Sequence, residues 1–168
     1  TAKYIPIDEK HPISAQSPYS ASKISADQLA ISYYNSFQLP IKIIRPFNVY
    51  GPRQSSRAVI PSIIIQALNN KKEIKLGNVE PSRDFTYVTD TCNAFLDILK
   101  IKNFFGNTLN VGSNNEYTIN DIAKKILEKL NSKANIKKEP QRTRSPNSEV
   151  VRLVCDNSKI LKNTQWKP

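Results

Sequence analysis

Tyr19 and Lys23 stand four residues apart in S-P-Y-S-A-S-K. On a helix that spacing puts both side chains on one face. A phenol with an unperturbed pKa of about 10 is a poor base at neutral pH. A neighbouring ammonium favours the phenolate and lowers that value. Such a tyrosine can take a proton from a sugar hydroxyl, or return one, during hydride transfer. Among 7 tyrosines and 18 lysines in 168 positions, a pair at this spacing arises readily by chance. Its meaning therefore depends on what surrounds it.

The elements that must hold the pair can be read around it. Residues 1–16 read as a loop, in which His11 is a solvated residue with no assigned role. Ser17-Pro18 is a helix start: Ser as N-cap, and Pro at the first helical position, where its missing N–H costs nothing. Ser22, Ala26, Leu29, Ala30, Tyr33 and Phe37 follow at helical spacing, and Leu39-Pro40 ends the helix. Ile41 to Arg45 has the β-branched profile of a buried strand, and Phe47 to Arg53 reads as a loop. Pro61 opens a helix through Leu68, and short strands follow at Glu73–Leu76 and Asp84–Val88. Asp90 caps a helix over 91–100 that turns Cys92, Phe95, Ile98 and Leu99 inward. Asn107–Val111 is a strand. Thr118 with Asp121 makes a capping box before the amphipathic run Ile119, Ile122, Ala123, Ile126, Leu127, Leu130. Residues 132–149 are polar and basic, Val150–Val154 is a short strand, and Ser158 caps a last helical turn. Strands alternating with helices predict an α/β fold: the C-terminal part of a Rossmann-like doubly wound fold plus a small α/β lobe.

Five motifs follow in order: S-P-Y-S-A-S-K-I-S-A-D-Q-L, I-I-R-P-F-N-V-Y-G-P-R-Q, A-V-I-P, L-G-N and P-S-R-D-F-T-Y-V-T-D-T. Together they resemble the extended short-chain dehydrogenase/reductases, and within these the nucleotide-sugar epimerase and 4,6-dehydratase branch. The resemblance runs from Thr1 to Pro168. It implies that Tyr19 is the catalytic acid/base. Lys23 would bind the nicotinamide ribose of NAD and depress the tyrosine's pKa. The backbone at Pro46 and Phe47 would face the nicotinamide, at the carboxyl end of a strand where doubly wound folds bind ligands. Asn48 would contact the diphosphate of a sugar nucleotide, offering two N–H donors without a counter-charge; a turn residue before Gly51 is the competing reading. Arg83 matches the arginine of R-D-[FY], whose guanidinium forks onto phosphate oxygens; a local pair with Asp84 or a surface charge competes. Val59 and Lys75 fall in stretches bordering the base and ribose, where core packing competes. Arg144 and Glu149 fall where the family places a late arginine and an acidic residue at the phosphate and ribose.

The same resemblance implies a division of the chain. Residues 1–57 are the end of the NAD-binding domain, carrying the Tyr-x-x-x-Lys helix. Residues 58–168 are mainly a sugar-nucleotide-binding lobe, with Rossmann elements returning near 84–112. The implied reaction is 4,6-dehydration: hydride removal at sugar C4, then elimination of water. A 4-epimerase shares the first step, and a non-catalytic sugar-nucleotide-binding remnant would carry the same motifs. The implied setting is cytoplasmic polysaccharide biosynthesis by a protein that is a homodimer when full length.

Composition sets limits. Gly51, Gly77, Gly106 and Gly112 lie too far apart for a G-x-G-x-x-G or a P-loop. The loop that cradles the NAD pyrophosphate, and the family's catalytic Ser or Thr, are expected upstream of Thr1. Thr1 is not an initiator Met and the chain stops at Trp166-Lys167-Pro168; this fits a piece of something longer, and trimming would look the same. The strands absent on that reading would leave Ile41–Ile44 and the inner side of the Tyr19 helix uncovered. With 39% apolar and 23% charged residues the composition is globular. No apolar run approaches the roughly 20 residues that cross a bilayer, and no signal-peptide core is present, so no membrane partner is expected. Two distant cysteines and one histidine exclude a structural zinc site and make a reducing compartment the default. The net charge of +11 favours polyanions. The basic residues are scattered, however, with no aromatic platform or known module, so nucleic acid is not the expected partner. A nucleotide-diphosphate sugar accounts for part of the excess.

Overall fold

The computed structural model describes residues 2–69, 72–142 and 149–168. Helix α1 (Pro18–Phe37) starts at the Ser17 cap. The Ser20 N–H donates to Ser17 Oγ, and the Ser17 N–H donates to Ser20 Oγ at 2.9 Å, a reciprocal cap. The helix ends at Gln38, whose φ of 55° lies in the left-handed region. Its more buried stripe is Ala21, Ile24, Asp27, Ile31 and Tyr34, and no α1 residue is fully buried. Leu29, Tyr33 and Phe37, which mark the helix in the sequence, are exposed. Apolar residues occupy two sides of α1, so their spacing identifies the helix and not its inner face.

Strand β1 (Ile43–Pro46) pairs in parallel with β5 (Thr108–Val111). Ile43 is buried and Ile44 packs on the core beneath β5, so these two are not left uncovered as expected. The chain crosses at Phe47, whose N–H donates to Val111 O at 2.8 Å, into β2 (Asn48–Tyr50). The sequence predicts a loop here. It is a strand because β4 (Ser82–Tyr87) supplies a parallel partner, Asn48 opposite Phe85 and Tyr50 opposite Tyr87. β4 also pairs with β6 (Glu116–Thr118), antiparallel, and β8 (Arg152–Leu153), parallel. β3 (Glu73–Leu76) and β7 (Asn135–Lys138) form a separate parallel pair. β6 and β7 are short and polar, and they are strands because partners await them rather than by propensity.

Two apolar clusters hold the chain together. In the first, Ile63 and Ala67 of α2 (Val59–Leu68) meet Ile74 and Leu76 of β3 and Ala123 and Leu127 of α4 (Ile119–Lys129). The capping box before α4 forms as predicted, with the Asp121 N–H on Thr118 Oγ1 at 3.0 Å. In the second, Ala94 and Ile98 of α3 (Val88–Lys100) meet Leu109 and Val111 of β5, Ile160 of α5 (Ser158–Asn163) and Trp166.

Four local expectations change. α2 begins at Val59, so Pro61 sits inside the first turn, where no N–H is needed. Asp90 lies in the first turn of α3, after the Tyr87 cap, and Asn157 rather than Ser158 caps α5. The inner face of α3 is Thr91, Ala94 and Ile98, while Cys92, Phe95 and Leu99 face outward. The small Ala94 lets α3 approach its neighbours closely, and that contact outweighs the larger apolar residues beside it.

Candidate active site

A cavity of about 410 Å³ opens over β2 and β4, walled by the start of α2 and the end of β3. It gathers Asn48, Val59, Lys75, Arg83 and Glu149, residues drawn from across 102 positions of sequence. Arg144 lies outside the described residues. The cavity also takes in Gln54, Arg57 and Arg142, which sequence reading missed. Arg57 stands one residue before the Ala58 cap position of α2, and a basic residue beside an uncapped helix start is a signal that could have been used.

Each wall has a local cause. Ala58, the residue before α2, makes no side-chain cap bond. The first N–H groups of α2 and the positive end of its dipole therefore remain available at the cavity wall, an arrangement suited to anions. Lys75 is placed by Gln66, a buried α2 side chain. Gln66 Oε1 accepts the Lys75 N–H at 2.9 Å, and Gln66 Nε2 donates to Lys75 O at 3.3 Å. Gly77 closes the same wall: a Cβ there would stand 2.4 Å from Arg142 O, so only glycine admits the turn at Pro140–Arg142. Arg142 Nε then donates to Glu139 Oε2 at 2.5 Å, and Lys75 Nζ lies 3.4 Å from Glu139 Oε1. The Arg142 guanidinium first, and Lys75 second, hold the Glu139 carboxyl below its usual range.

Arg83 reaches the cavity from β4. Its Nη2 donates to Glu149 Oε1 at 3.3 Å and its Nη1 to Ser82 O at 2.7 Å. Arg83 and Glu149 side chains are 13% and 15% exposed, so this is a largely desolvated pair, in which either partner alone would be costly to bury. Asp84 does not pair with Arg83. Neighbouring strand residues point to opposite faces, and Asp84, wholly buried, accepts from Ser113 N–H and Oγ–H, Asn114 N–H and Cys155 N–H at 2.6–3.1 Å. That junction ties β4 to the turn after β5 and to Cys155, which bridges to Ile7. Burial, and then Asp84, push the Cys155 thiol well above its ordinary value. On β6, Glu116 accepts from Arg152 Nε and Nη2 and from Ser82 Oγ. Arg152 first, and then Ser82, pull its carboxyl down to about 2.

Asn48 belongs to β2 and not to a turn. Its Oδ1, like Gln54 Oε1, is buried without a hydrogen-bond partner among the described residues. Two orphaned polar atoms on residues lining one cavity are what a polar ligand would satisfy. Val59 serves both readings, packing against the first apolar cluster and lining the cavity.

Tyr19, Lys23, Pro46 and Phe47 lie outside the cavity lining. Lys23 Nζ stands 5.6 Å from the centre of the Tyr19 ring, and both side chains are exposed on α1. Pro46 ends β1 and Phe47 is the crossing residue, so the end of β1 is two positions from Asn48 on the cavity wall. His11 is partly buried rather than solvated. Its ring lies tilted against that of Tyr4, with centroids 4.7 Å apart, and its Nε2 accepts the Lys3 N–H at 2.9 Å.

An α/β chain with a cation-lined cavity and a separate Tyr–Lys helix has the architecture of Rossmann-fold enzymes that act on sugar nucleotides. Residues 1–168 match the family described as GDP-mannose 4,6 dehydratase, and the chain belongs to that family, within the extended short-chain dehydrogenase/reductases. It is 42% identical over 120 residues to the dTDP-D-glucose 4,6-dehydratase of Dictyostelium discoideum, across 71% of this chain and 27% of that protein. Its fold matches the dTDP-glucose 4,6-dehydratase of Bacillus anthracis, solved with NAD, at a TM-score of 0.89 and 33% identity, over 100% of this chain and 52% of that one. It matches the UDP-glucuronic acid 4-epimerase of Bacillus cereus, solved with UDP-glucuronic acid and NAD, at a TM-score of 0.90 and 28% identity, with the same coverage. The chain therefore spans about half the length of these solved enzymes and less of the Dictyostelium relative.

Proposed function

We propose that this chain supplies the acid–base pair and the sugar-nucleotide cavity of a NAD-dependent nucleotide-sugar 4,6-dehydratase. The observation that carries the reading is the charge of the cavity. Arg57, Lys75, Arg83 and Arg142 meet two carboxylates, Glu149 on the lining and Glu139 behind it. The excess of two positive charges complements the two ionised phosphates of a nucleoside-diphosphate sugar. Arginine forks and the open α2 start are the donors such a group needs. Asn48 and Gln54 offer amide groups for the ligand's hydroxyls or phosphate oxygens. Val59 and Lys75 border the nucleoside end, and Arg144 belongs with the phosphate contacts. On this reading residues 1–57 complete the cofactor side and 58–168 form mainly the substrate lobe, with elements near 84–112 returning to the cofactor side.

An ammonium and a phenol side by side on an exposed helix face fit the ribose hydroxyls of NAD as a donor set, and Lys23 and Tyr19 are placed so. The Pro46–Phe47 backbone would border the nicotinamide. NAD held by Lys23, Tyr19 and the Pro46–Phe47 backbone would supply a hydride acceptor for sugar C4. Tyr19 takes the C4 hydroxyl proton as the C4–H bond breaks, with the Lys23 ammonium 5.6 Å from its ring. Arg83 and its neighbours hold the diphosphate so that C4 stays in reach, converting binding into orientation. The 4-epimerase reading draws support from the equally close fold of the Bacillus cereus enzyme, since the two reactions share the Tyr19 step. A cytoplasmic homodimer is proposed with it. Among the described residues no helix is long and apolar enough to cross a membrane, and Leu29, Tyr33 and Phe37 of α1 are exposed.

The test is Tyr19→Phe in the protein that carries this chain, with product analysis by NMR. Turnover should fall by about 10²–10⁴-fold, the contribution of a positioned acid–base group, while sugar-nucleotide binding persists. The native product should be a 4-keto-6-deoxy sugar; a C4-inverted sugar would select the epimerase. A variant keeping more than about a tenth of the rate would remove Tyr19 from the chemistry.

A further inference from the structure

The helix that carries Tyr19 and Lys23 buries none of its residues fully within this chain. Something must fix its rotation and height against the strand end that it serves. Two contacts stand out. Tyr34 lies over Gly106, where a Cβ would stand 2.2 Å from the ring; this pins the far end of α1, four turns from Tyr19. Nearer the chemistry, Arg45 Nε donates to Asp27 Oδ2 at 2.6 Å, with the two side chains 27% and 24% exposed.

The placement of that ion pair is specific. Tyr19, Lys23 and Asp27 follow at intervals of four, so Asp27 stands one turn beyond Lys23 on an adjoining face, about 6 Å further along the axis. Arg45 is the residue of β1 immediately before Pro46 and Phe47, and is itself held in register opposite Asn110 of β5. Asn110 is buried; its N–H donates to Glu9 Oε1 at 2.8 Å and its side chain to Ile7 O at 3.1 Å. The anchor on the strand side is thus tied into β5 and the segment before α1, while among the described residues the Asp27 side chain is held by Arg45. A charge-assisted bond of this length is directional, so it sets rotation as well as distance.

We propose that Asp27 and Arg45 are positioning residues for the reaction. Their ion pair locks the helix face bearing Tyr19 and Lys23 to the carboxyl end of β1. This rests on the reading of Tyr19 as the acid–base group. Neither residue lines the cavity, so the pair acts on the chemical step and not on sugar-nucleotide affinity. A misplacement of about 1 Å remote from the reacting atoms can cost as much as a hundredfold in rate.

The experiment measures kcat and KM for the sugar nucleotide, and melting temperature, in the NAD-loaded protein that carries this chain. Asp27→Asn, which keeps the shape and removes the charge, should lower kcat by about ten- to a hundredfold and leave KM within about twofold. Asp27→Glu should restore much of the rate. The exchanged pair Asp27→Arg with Arg45→Asp should exceed either of its single variants in kcat. Unchanged kcat in Asp27→Asn, equal changes in kcat and KM that track a lowered melting temperature, or an exchanged pair no better than its parents would each overturn the proposal. Tyr19→Phe in the same series separates the two readings. If it retains turnover, the acid–base assignment fails; if it is inactive while Asp27→Asn is fully active, the lock alone fails.

Discussion

The substrate cavity and the helix of Tyr19 are built on different terms. The cavity sits on an apolar cluster in which Ile63, Ile74 and Ala123 are fully buried. Its side chains are held by at least one partner each at Lys75, Arg83 and Arg142. Helix α1 buries nothing fully and leaves Leu29 60%, Phe37 67% and Tyr19 71% exposed. Recognition of a large anion needs many groups fixed at once, and a packed lobe supplies that from within this chain. The acid–base pair needs only one turn of helix, and its placement is delegated to a few contacts at Asp27, Tyr34 and the Ser17 cap.

The contrast can be broken most directly by truncation. Ile63→Ala should destabilise the protein by about 2–5 kcal/mol, the range for emptying a well-packed site. Leu29→Ala, on the exposed face of α1, should stay within about 0.5 kcal/mol. Denaturant titration of both variants checks this, and a large loss at Leu29 would show that a further surface covers that face in the natural protein.

Binding draws the line between the regions a second time. Arg83→Ala should weaken sugar-nucleotide binding by about 1.5–3 kcal/mol, the range for a hydrogen bond to a charged group, and leave NAD affinity as it was. Calorimetry with each ligand decides. Equal losses for both would make Arg83 a structural brace, through Glu149, rather than a ligand contact.

Acid sharpens the comparison on the cavity side. Glu116 has its carboxyl lowered from 4.5 to about 2 by Arg152 and Ser82. A carboxyl depressed on folding stabilises the protein fully above its unfolded value, and that contribution fades as pH falls toward the folded one. Glu116→Gln should therefore lower Tm at neutral pH, with the deficit closing between pH 4.5 and 2. An equal deficit at both ends would assign the effect to packing.

The smallest effect separates the two thiols. Cys92 is exposed on α3, and Cys155 is buried with its thiol pushed up. A thiol reagent under native conditions should modify Cys92 alone, read by mass spectrometry. Joint modification would mean that the Asp84 junction opens in the folded protein.

How much of this was legible follows from where the information lies. The Ser17 cap, the Thr118–Asp121 box and the α4 stripe are local, and each appears where its residues predict it, except that Leu130 lies past the end of α4 and is exposed. Asn48, Val59, Lys75, Arg83 and Glu149 were legible as candidates through motif order, and Tyr19 with Lys23 through spacing. β2, β6 and β7 were not legible, because a run of three or four residues without a strong strand signal becomes a strand only when a partner strand lies beside it. The inner faces of α1 and α3 were not legible either, since both helices carry apolar residues on two sides.

Residue order alone determined the starts of α1 and α4, the α/β alternation and the pairing of a phenol with an ammonium on one helical face, because each depends on neighbours within a few positions. Tertiary structure decided that Arg57 and Arg142 join Arg83 at one cavity, that Asp84 serves a buried junction instead of its neighbour, and that Arg45 meets Asp27. Those outcomes depend on which segments approach, and approach is set by Gly77, Gly106 and Gly112, where a single Cβ would stand 2.2–2.4 Å from another segment. Short-range preferences select local structure, whereas close packing between distant segments selects which charges share a site.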